Sequence, residues 1–287
     1  MNNTANSFEK TLTIGGDFVV NRMGYGAMRI TGKGIWGPPK DEEACINVLK
    51  RAVELGVNFI DTADSYGPYV SEELIARALY PYPADLVIGT KGGLLRTGPD
   101  QWPIDASPAH LKKALEGSLQ RLKLERIDLY QLHRIDPLVP AEQSFEVLKQ
   151  ARQEGKIKHI GLSEVDVDTI KKAQQFFDVV SVQNMYSVDN RKWEPVLQYC
   201  KAHHIVFIPW FPLNGGNVTA QEKLKQIAEK HQASVQQVAL YWLLNHSANI
   251  LLIPGTSSVA HLDENMKTLS LELTEDDIRE LNSIAPQ

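Results

Sequence analysis

Residues 127–163, IDLYQLHRIDPLVPAEQSFEVLKQARQEGKIKHIGLS, contain one complete strand–helix–strand unit. Ile127–Leu132 and Ile157–Ser163 are short runs rich in apolar residues, and they predict buried strands. Between them, Ala141–Glu154 has the amphipathic pattern of a helix, and Gly155 follows it as a helix stop. Because parallel strands need a long crossover, usually a helix, this order predicts an α/β fold.

The same alternation continues on both sides of this unit. Thr11–Ile14 and Phe18–Val20 flank Gly15-Gly16, which predicts an N-terminal β-hairpin. Further strands are predicted at Met23–Tyr25, Asn58–Asp61, Leu86–Thr90, Val179–Gln183, Val206–Trp210 and Ile250–Pro254, and further helices at Asp41–Leu55, Ser71–Leu79, Pro108–Leu122, Asp166–Gln175, Trp193–His203, Ala220–His231, Ser234–Asn245, Val259–Leu269 and Glu275–Ile284. About eight strand–helix units predict one domain over residues 1–287. We expect a single eight-stranded parallel βα (TIM) barrel with the hairpin before it and extra C-terminal helices.

An open, doubly wound sheet is the alternative architecture for this pattern. Such a sheet that binds a dinucleotide would begin with a GxGxxG turn between a strand and a helix. The chain offers only Gly24-Tyr25-Gly26, in which the third glycine is missing. The closed barrel is therefore favoured.

Charge and hydropathy exclude several classes of partner. The chain has 30 Lys and Arg residues against 35 Asp and Glu residues, a net charge of −5, and has no dense basic block. This balance argues against a nucleic-acid partner. The longest nearly apolar stretch, Ile205–Leu213, falls far short of the ~20 residues of a membrane helix. Without a signal-peptide pattern at the start, we expect a cytoplasmic protein, with Cys45 and Cys200 as free thiols in helices.

Polar residues that follow the predicted strands form a candidate catalytic group. Asp61, Lys91 and His133 end three consecutive strands, where a βα barrel carries its active site. Tyr66 lies in the short loop after Asp61. An ammonium beside a phenol lowers the pKa of the phenol, and a carboxylate keeps the ammonium charged. With a histidine to hydrogen-bond the substrate, such a group protonates a carbonyl oxygen as it gains negative charge.

Each of these residues alone has an ordinary structural explanation, but their combination resembles a known family. GVNFIDTADSYGPYVSEELIARAL, TKGG, DLYQLHR, IGLSEVD, VQNMYS and IPGTSSVAHLDEN are similar, in this order, to segments of the aldo-keto reductases. The resemblance implies a barrel that binds NADPH in an extended pose and transfers hydride to an aldehyde or ketone. It implies that Tyr66 is the general acid, that Lys91 tunes it, that Asp61 pairs with Lys91, and that His133 orients the carbonyl.

The resemblance also implies a set of cofactor-binding residues. Ser163 and Gln183 correspond to nicotinamide-binding positions and Trp210 to the ring-stacking tyrosine, while Phe211, Leu213, Gly215 and Gly216 correspond to the pyrophosphate loop and Gly255, Thr256, Ser257, His261, Glu264 and Asn265 to the adenosine segment. Glu164 stands where the family usually has asparagine. An ionised carboxylate cannot donate to the nicotinamide amide oxygen, so the role of Glu164 is left open.

The adenosine segment departs from the pattern of NADPH-preferring members. These often have Lys directly after Ile-Pro and Arg six positions later, where this chain has Gly255 and His261. A 2′-phosphate is normally bound by Arg or Lys. NADPH is the expected cofactor from the resemblance, and NADH stays an alternative.

Two loops are predicted to wall the substrate pocket. Arg29–Lys40 carries Trp36, and Gly92–Ser107 carries Trp102, which indicates a pocket for a flat or aromatic carbonyl compound. The segments GIWGPP, ALYPY and IPGTSSVAHL resemble pyridoxal-reducing bacterial members of the family. The specific substrate prediction is therefore pyridoxal, reduced to pyridoxine.

Two other functional classes are weighed beside this one. The chain could be an NADPH-binding regulatory or redox-sensing subunit with slow turnover. It could also be a metal-dependent hydrolase that uses His203-His204 with Asp61 and His133. Adjacent histidines on a helix point in different directions, and the chain has no HxH or HExxH motif. No metal is therefore expected, and the oligomeric state is left undecided.

Overall fold

A computed structural model describes residues 8–213 and 222–284. The strands are β1 Thr11–Ile14, β2 Phe18–Asn21, β3 Tyr25–Gly26, β4 Phe59–Asp61, β5 Val87–Gly92, β6 Ile127–Leu132, β7 Ile157–Ser163, β8 Val179–Gln183 and β9 Val206–Phe207. The helices are α1 Glu42–Glu54, α2 Val70–Leu79, α3 Pro108–Leu122, α4 Ala141–Gln153, α5 Val167–Ala173, α6 Glu194–Ala202, α7 Glu222–Lys230, α8 Val235–His246, α9 Val259–Met266 and α10 Glu275–Asn282, with 3-10 turns at Ala27–Ile30 and Lys267–Ser270.

The strands form an antiparallel hairpin and a seven-stranded parallel sheet. In the sheet, β3 to β9 are neighbours in chain order, which is the order that repeated right-handed βαβ units produce. The predicted α/β class, the parallel sheet and the N-terminal hairpin are confirmed. The sheet curls as half of a barrel.

The eighth strand predicted at Ile250–Pro254, and with it the closed barrel, is not confirmed in the part of the chain that the structure describes. Instead, Ile250 makes one parallel bridge to Phe207, and Leu252 makes one to Met23. The edge strands β9 and β3 have two residues each, and these contacts to the segment are single bridges and not a continuous ladder. β9 covers Val206–Phe207 of the strand predicted at Val206–Trp210, although Ile208 N and Trp210 N still donate to the carbonyls of Val182 and Asn184.

Helix ends follow the capping signals in the sequence. The Asp41 side chain accepts from Ala44 N at the start of α1, and the Ser107 side chain accepts from His110 N at the start of α3. Cys45 and Cys200 are free thiols buried in α1 and α6, as predicted. Within residues 8–213 and 222–284, no helix is long and apolar enough to cross a membrane.

Alternation along the strands places the candidate site. Phe59, Val87 and Leu129 belong to the small core inside the curved sheet, which the hairpin residues Ile14 and Val20 also enter. Their chain neighbours pack outward against the helices. Because side chains on a strand alternate between the two faces, the last interior positions, at the C-terminal ends of the strands, belong to Asp61, Lys91, Gln131, Ser163 and Gln183.

Candidate active site

Lys91 lies at the centre of a buried hydrogen-bond network. Its ammonium donates to Asp61 Oδ2 at 2.6 Å, to the Thr62 carbonyl at 2.8 Å and to the Tyr66 hydroxyl at 3.4 Å. Burial lowers the pKa of Lys91, but Asp61 and Tyr66 raise it more, so the net pKa lies above its ordinary value. The side chain is therefore a charged ammonium that touches the phenol.

The second oxygen of Asp61 is held by two glutamines. Gln131 Nε2 donates to Asp61 Oδ1 at 3.1 Å, and Gln183 Nε2 donates to the same atom at 2.9 Å. Gln131 was not predicted from the sequence, although it lies two positions before His133, which directly follows β6. Gln183 is predicted from the resemblance to contact the cofactor; its amide N–H₂ donates to Asp61, and the side chain also lines the cavity described below.

Tyr66 reaches the network from the loop after β4. Its ring meets the rings of Trp102 and His133 edge to face, with centroids 6.3 Å and 6.0 Å away. Burial raises the pKa of Tyr66, Lys91 lowers it, and the net pKa lies above its ordinary value. The expected acidification by the ammonium is thus present but smaller than the effect of burial, so the phenol keeps its proton at neutral pH.

His133 completes the group at the end of β6. Its Nδ1 lies 3.5 Å from Ser65 Oγ. Burial lowers the pKa of His133 well below its usual range, and the positive charges of Lys91 and Arg134 lower it further. The imidazole is neutral at physiological pH, a form that can hydrogen-bond a carbonyl oxygen without carrying charge.

A cavity of about 800 Å³ lies over this group and continues to the segment after Leu252. The predicted residues that line it are Asp61, Tyr66, His133, Ser163, Gln183, Trp210, Phe211, Leu213 and Gly255. Lys91 is fully buried below Asp61. The structure therefore brings the catalytic candidates and one end of the adenosine segment to a single cavity, within the described residues.

Other predicted cofactor residues lie outside the described cavity wall. Thr256 Oγ1 accepts from Ser258 N, the Glu264 carbonyl accepts from Gln237 Nε2, and Ser257, His261 and Asn265 do not line the cavity either. Gly215 and Gly216 lie outside the described residues. Among the described residues, no group of three or more His, Cys, Asp and Glu side chains could hold a metal ion.

A sequence model of the aldo/keto reductase family matches residues 22–286. The chain belongs to the aldo/keto reductase family. The predicted resemblance is confirmed, and with it the prediction of an NAD(P)H-dependent oxidoreductase over that of a hydrolase.

Individual relatives agree with this assignment. An uncharacterized oxidoreductase of Schizosaccharomyces pombe is 53% identical over 260 residues, covering 90% of this chain and 85% of its own. Pyridoxine 4-dehydrogenase of Escherichia coli is 43% identical over 272 residues, covering 93% and 95%. The solved glycerol dehydrogenase of Gluconobacter oxydans is 26% identical and superposes with a TM-score of 0.86, covering 96% of this chain and 94% of its own.

The two adjacent histidines of this aldo/keto reductase lie away from the cavity. His203 follows α6, and its Nδ1 lies 2.8 Å from the Tyr199 carbonyl oxygen. Its ring stacks on the ring of Tyr199 at 4.0 Å. Because His203 and His204 precede β9, they lie at the end of the sheet opposite to His133.

Glu164 fixes the orientation of Trp210. Its Oε1 accepts from Trp210 Nε1 at 2.7 Å and from Met185 N at 2.6 Å. Glu164 has a φ of 54°, a left-handed conformation that is unfavourable for a residue with a side chain. This aldo/keto reductase thus uses the carboxylate, where the family usually has asparagine, to hold an aromatic platform at the cavity.

Arg96 holds the pocket loops together, a role that the sequence analysis missed. Its guanidinium donates to the carbonyls of Ile35 and Ser65 at 2.5 and 3.0 Å, and also to those of Gly34, Gly98 and Gln101. It lies 3.6 Å from the centroid of the Trp102 ring. Both predicted loops line the cavity, but Trp36 is not among its lining residues, and its ring centroid lies 5.7 Å from Arg96 Cζ.

Replacing Arg96 by methionine is expected to loosen these loops without touching the Lys91 network. We expect KM for a carbonyl substrate to rise by ~10-fold, since several charge-assisted hydrogen bonds between the walls are lost. Limited proteolysis should cut within residues 29–40 and 92–107 more rapidly. Arg77→Met, at an exposed ion pair with Glu42, is the matched control. An unchanged KM and an unchanged cleavage pattern would contradict the role of Arg96 in holding the two loops together.

Proposed function

We propose that this chain reduces an aldehyde to the alcohol with NADPH, and that pyridoxal, reduced to pyridoxine, is a substrate. The observation that carries the proposal is the phenol of Tyr66 at the cavity floor, 3.4 Å from the ammonium of Lys91. Pyridoxine 4-dehydrogenase of Escherichia coli, 43% identical, supports the choice of pyridoxal because its name gives the alcohol of the same pair.

The cavity fits an extended nicotinamide dinucleotide. Trp210 offers a fixed indole face at the end where Ser163 and Gln183 provide polar groups. These three residues would hold the nicotinamide, while Phe211 and Leu213 would border the pyrophosphate. The bound cofactor supplies a hydride to the carbonyl carbon. The cavity has both Tyr66 and Gly255 in its lining, which supports an extended pose.

The chain's own residues supply the proton. The neutral imidazole of His133 orients the carbonyl oxygen toward Tyr66, whose hydroxyl donates its proton as that oxygen becomes negative. The ammonium of Lys91 stabilises the phenolate that remains, and Asp61 keeps Lys91 charged and aimed. Solvent then returns a proton to Tyr66.

We also infer that residues 249–252 close the curved sheet into a barrel. Phe207 N donates to the Asn249 carbonyl, and Leu251 N donates to the Phe207 carbonyl. On the other side, Leu252 N donates to the Arg22 carbonyl. A segment bonded to both edges seals the interior, which keeps water from reaching Lys91 from the side.

Arg29 replaces the missing lysine at the adenosine end. A Cβ at Gly255 would lie 2.6 Å from the Gly26 carbonyl oxygen, so the tight backbone approach excludes a lysine there. The Cγ of Arg29 lies 3.7 Å from the same point, and Arg29 lines the cavity. No described residue bonds its guanidinium. Arg29 is therefore our candidate for binding the 2′-phosphate of NADPH.

Arg29→Gln should accordingly change the choice of nucleotide. We expect the Kd for NADPH to rise by ~10-fold or more, which is the loss expected for a hydrogen bond to a charged group. The Kd for NADH should change by less than about twofold, because NADH has no 2′-phosphate. Titration of protein fluorescence measures both. Lys40→Gln, exposed and outside the described cavity wall, is the control. An equal rise in the Kd for NADPH and for NADH would show that Arg29 does not bind the 2′-phosphate.

The pH profile of the reduction should be level through neutrality. Tyr66 must hold its proton to act, and its pKa is raised from its ordinary value of 10. Activity is therefore lost only as the pH rises through this raised pKa. His133 adds no limb near its ordinary pKa, because its pKa is lowered well below 6.5. We expect a constant kcat/KM from about pH 6 to about pH 9. A limb centred near pH 6.5 would mean that His133 titrates in the working enzyme.

The first experiment is a titration of protein fluorescence with NADPH and with NADH, followed by addition of pyridoxal. Binding of NADPH and loss of its absorbance with formation of pyridoxine are expected. Binding without oxidation of the nucleotide, for pyridoxal and for simple aromatic aldehydes, would favour the regulatory or sensing subunit. If the protein binds neither nucleotide, the proposed NADPH-dependent reduction is contradicted.

A further inference from the structure

We propose that Arg134 binds an anionic oxygen of the substrate, so that the enzyme selects aldehydes with an ionised hydroxyl or a carboxylate ortho to the carbonyl. This inference rests on the proposed function and names its substrate class. Arg134 directly follows His133 and lines the same cavity. It therefore stands where a substituent beside the reacting carbonyl would lie.

The guanidinium of Arg134 is held in place but has free donors. Its Nη1 donates to the His133 carbonyl at 2.6 Å and to Ser163 Oγ at 3.1 Å. Its Nε and Nη2 donate to no residue within 8–213 and 222–284. Anchored through one nitrogen, the planar group presents its other N–H bonds as a fork, which is the geometry that pairs with a carboxylate or phenolate.

The charge of Arg134 is also uncompensated at close range. Within the described part of the chain, no carboxylate oxygen lies within 4 Å of its guanidinium nitrogens. The charge of Glu164 raises the pKa of Arg134, but Glu164 Oε1 already accepts from Trp210 and Met185. Burial lowers the pKa of Arg134. A partly desolvated cation without a counter-ion is costly to the fold, and an anionic ligand would offset that cost.

Arg134 is close to the atoms that react. Its charge lowers the pKa of both Tyr66 and His133, which places it within electrostatic reach of the proton donor. An anion bound at its free nitrogens would therefore lie beside the carbonyl that Tyr66 protonates. Trp102, with its ring edge-on to Tyr66, provides an apolar wall for an aromatic ring. Pyridoxal has this arrangement, with a hydroxyl ortho to its aldehyde.

Two pairs of aldehydes test the preference. 5-Nitrosalicylaldehyde, ionised at neutral pH, is compared with 3-nitrobenzaldehyde, and pyridoxal with pyridine-4-carbaldehyde. In Arg134→Gln, we expect kcat/KM for the hydroxyaldehyde of each pair to fall by ~30-fold or more, as for loss of a charged hydrogen bond. The partner without the hydroxyl should change by less than about threefold, and so should the Kd for NADPH. Arg134→Lys, which keeps the charge, should lose less than Arg134→Gln.

Arg126→Gln is the matched control, because Arg126 is exposed, immediately before the start of β6, and gives the same change in net charge. Equal losses for both members of a pair in Arg134→Gln would overturn the inference and leave the reductase intact. A large change in the Kd for NADPH would instead assign Arg134 to the cofactor. A wild-type protein that reduces no aldehyde would contradict the proposed function separately.

A binding readout keeps the test independent of turnover. Trp102 and Trp210 line the cavity, so quenching of protein fluorescence reports on occupation of the site. We expect benzoate to bind the wild-type protein, with NADP⁺ present or absent, and to bind Arg134→Gln at least about tenfold more weakly. Benzyl alcohol should bind both alike. Equal affinity of the two proteins for benzoate would overturn the anion site.

Discussion

Tyr66→Phe is expected to lower kcat for aldehyde reduction by ~10²–10⁴-fold, which is the contribution typical of a positioned general acid. The phenol is the group that Lys91 contacts at 3.4 Å, and its raised pKa keeps it protonated where the enzyme works. Phenylalanine keeps the ring against Trp102 and His133 but has no proton to give. The Kd for NADPH should therefore change by less than about twofold, since only the transition state loses an interaction.

Tyr82→Phe provides a matched control for this prediction. The Tyr82 hydroxyl donates to the Leu122 carbonyl at 2.8 Å, between the second and third helices and outside the described cavity wall. Its loss should reduce stability slightly and leave kcat unchanged. A kcat for Tyr66→Phe within tenfold of the wild-type value would show that another group, or water, delivers the proton.

Lys91→Met should be the most damaging substitution for stability. It leaves the Asp61 carboxylate buried with only the amides of Gln131 and Gln183 as partners. Removing one member of a buried ion pair costs about 3–5 kcal/mol of the free energy of unfolding. The Tm should fall by on the order of 10 °C in a protein of this size. We expect kcat to fall as well, because the phenolate of Tyr66 would lose its stabilising charge.

The double variant Lys91→Met with Asp61→Asn separates these two effects. It replaces the ion pair by two uncharged groups, so no charge is left buried without a partner. We expect most of the lost Tm to return while kcat stays low. Recovery of both would mean that Lys91 only supports the fold. A Tm as low as that of Lys91→Met alone would show that the unpaired carboxylate of Asp61 is not the cause of the lost stability.

The period of the strands explains why much of the site could be predicted. Residues at alternate positions of β6 and its neighbours must lie on one face, so Asp61, Lys91 and His133 converge whatever the details of packing. The bounds of β6, β7, β8 and α3 agree with the sequence pattern for the same reason. In these elements, the residues that the local hydrophobic pattern predicts to be buried are also the ones that the fold buries.

Other features depend on contacts that periodicity does not contain. The raised pKa of Tyr66 follows from how deeply the loop buries the phenol, which the spacing from Asp61 does not show. The approach of Arg29 to Gly255 joins segments far apart in the chain. The eighth strand predicted at Ile250–Pro254 is not confirmed, because its apolar pattern does not reveal that its contacts to the sheet edges are single bridges, at Ile250 and at Leu252.

The most direct test is a single-turnover reaction of the protein loaded with NADPH and mixed with pyridoxal. The account predicts that one pyridoxine forms for each NADPH consumed, and that Tyr66→Phe consumes NADPH at least about a hundredfold more slowly at equal cofactor occupancy. Retention of NADPH without loss of its absorbance by the wild-type protein, with pyridoxal and with 5-nitrosalicylaldehyde, would contradict the account and leave a nucleotide-binding subunit in its place.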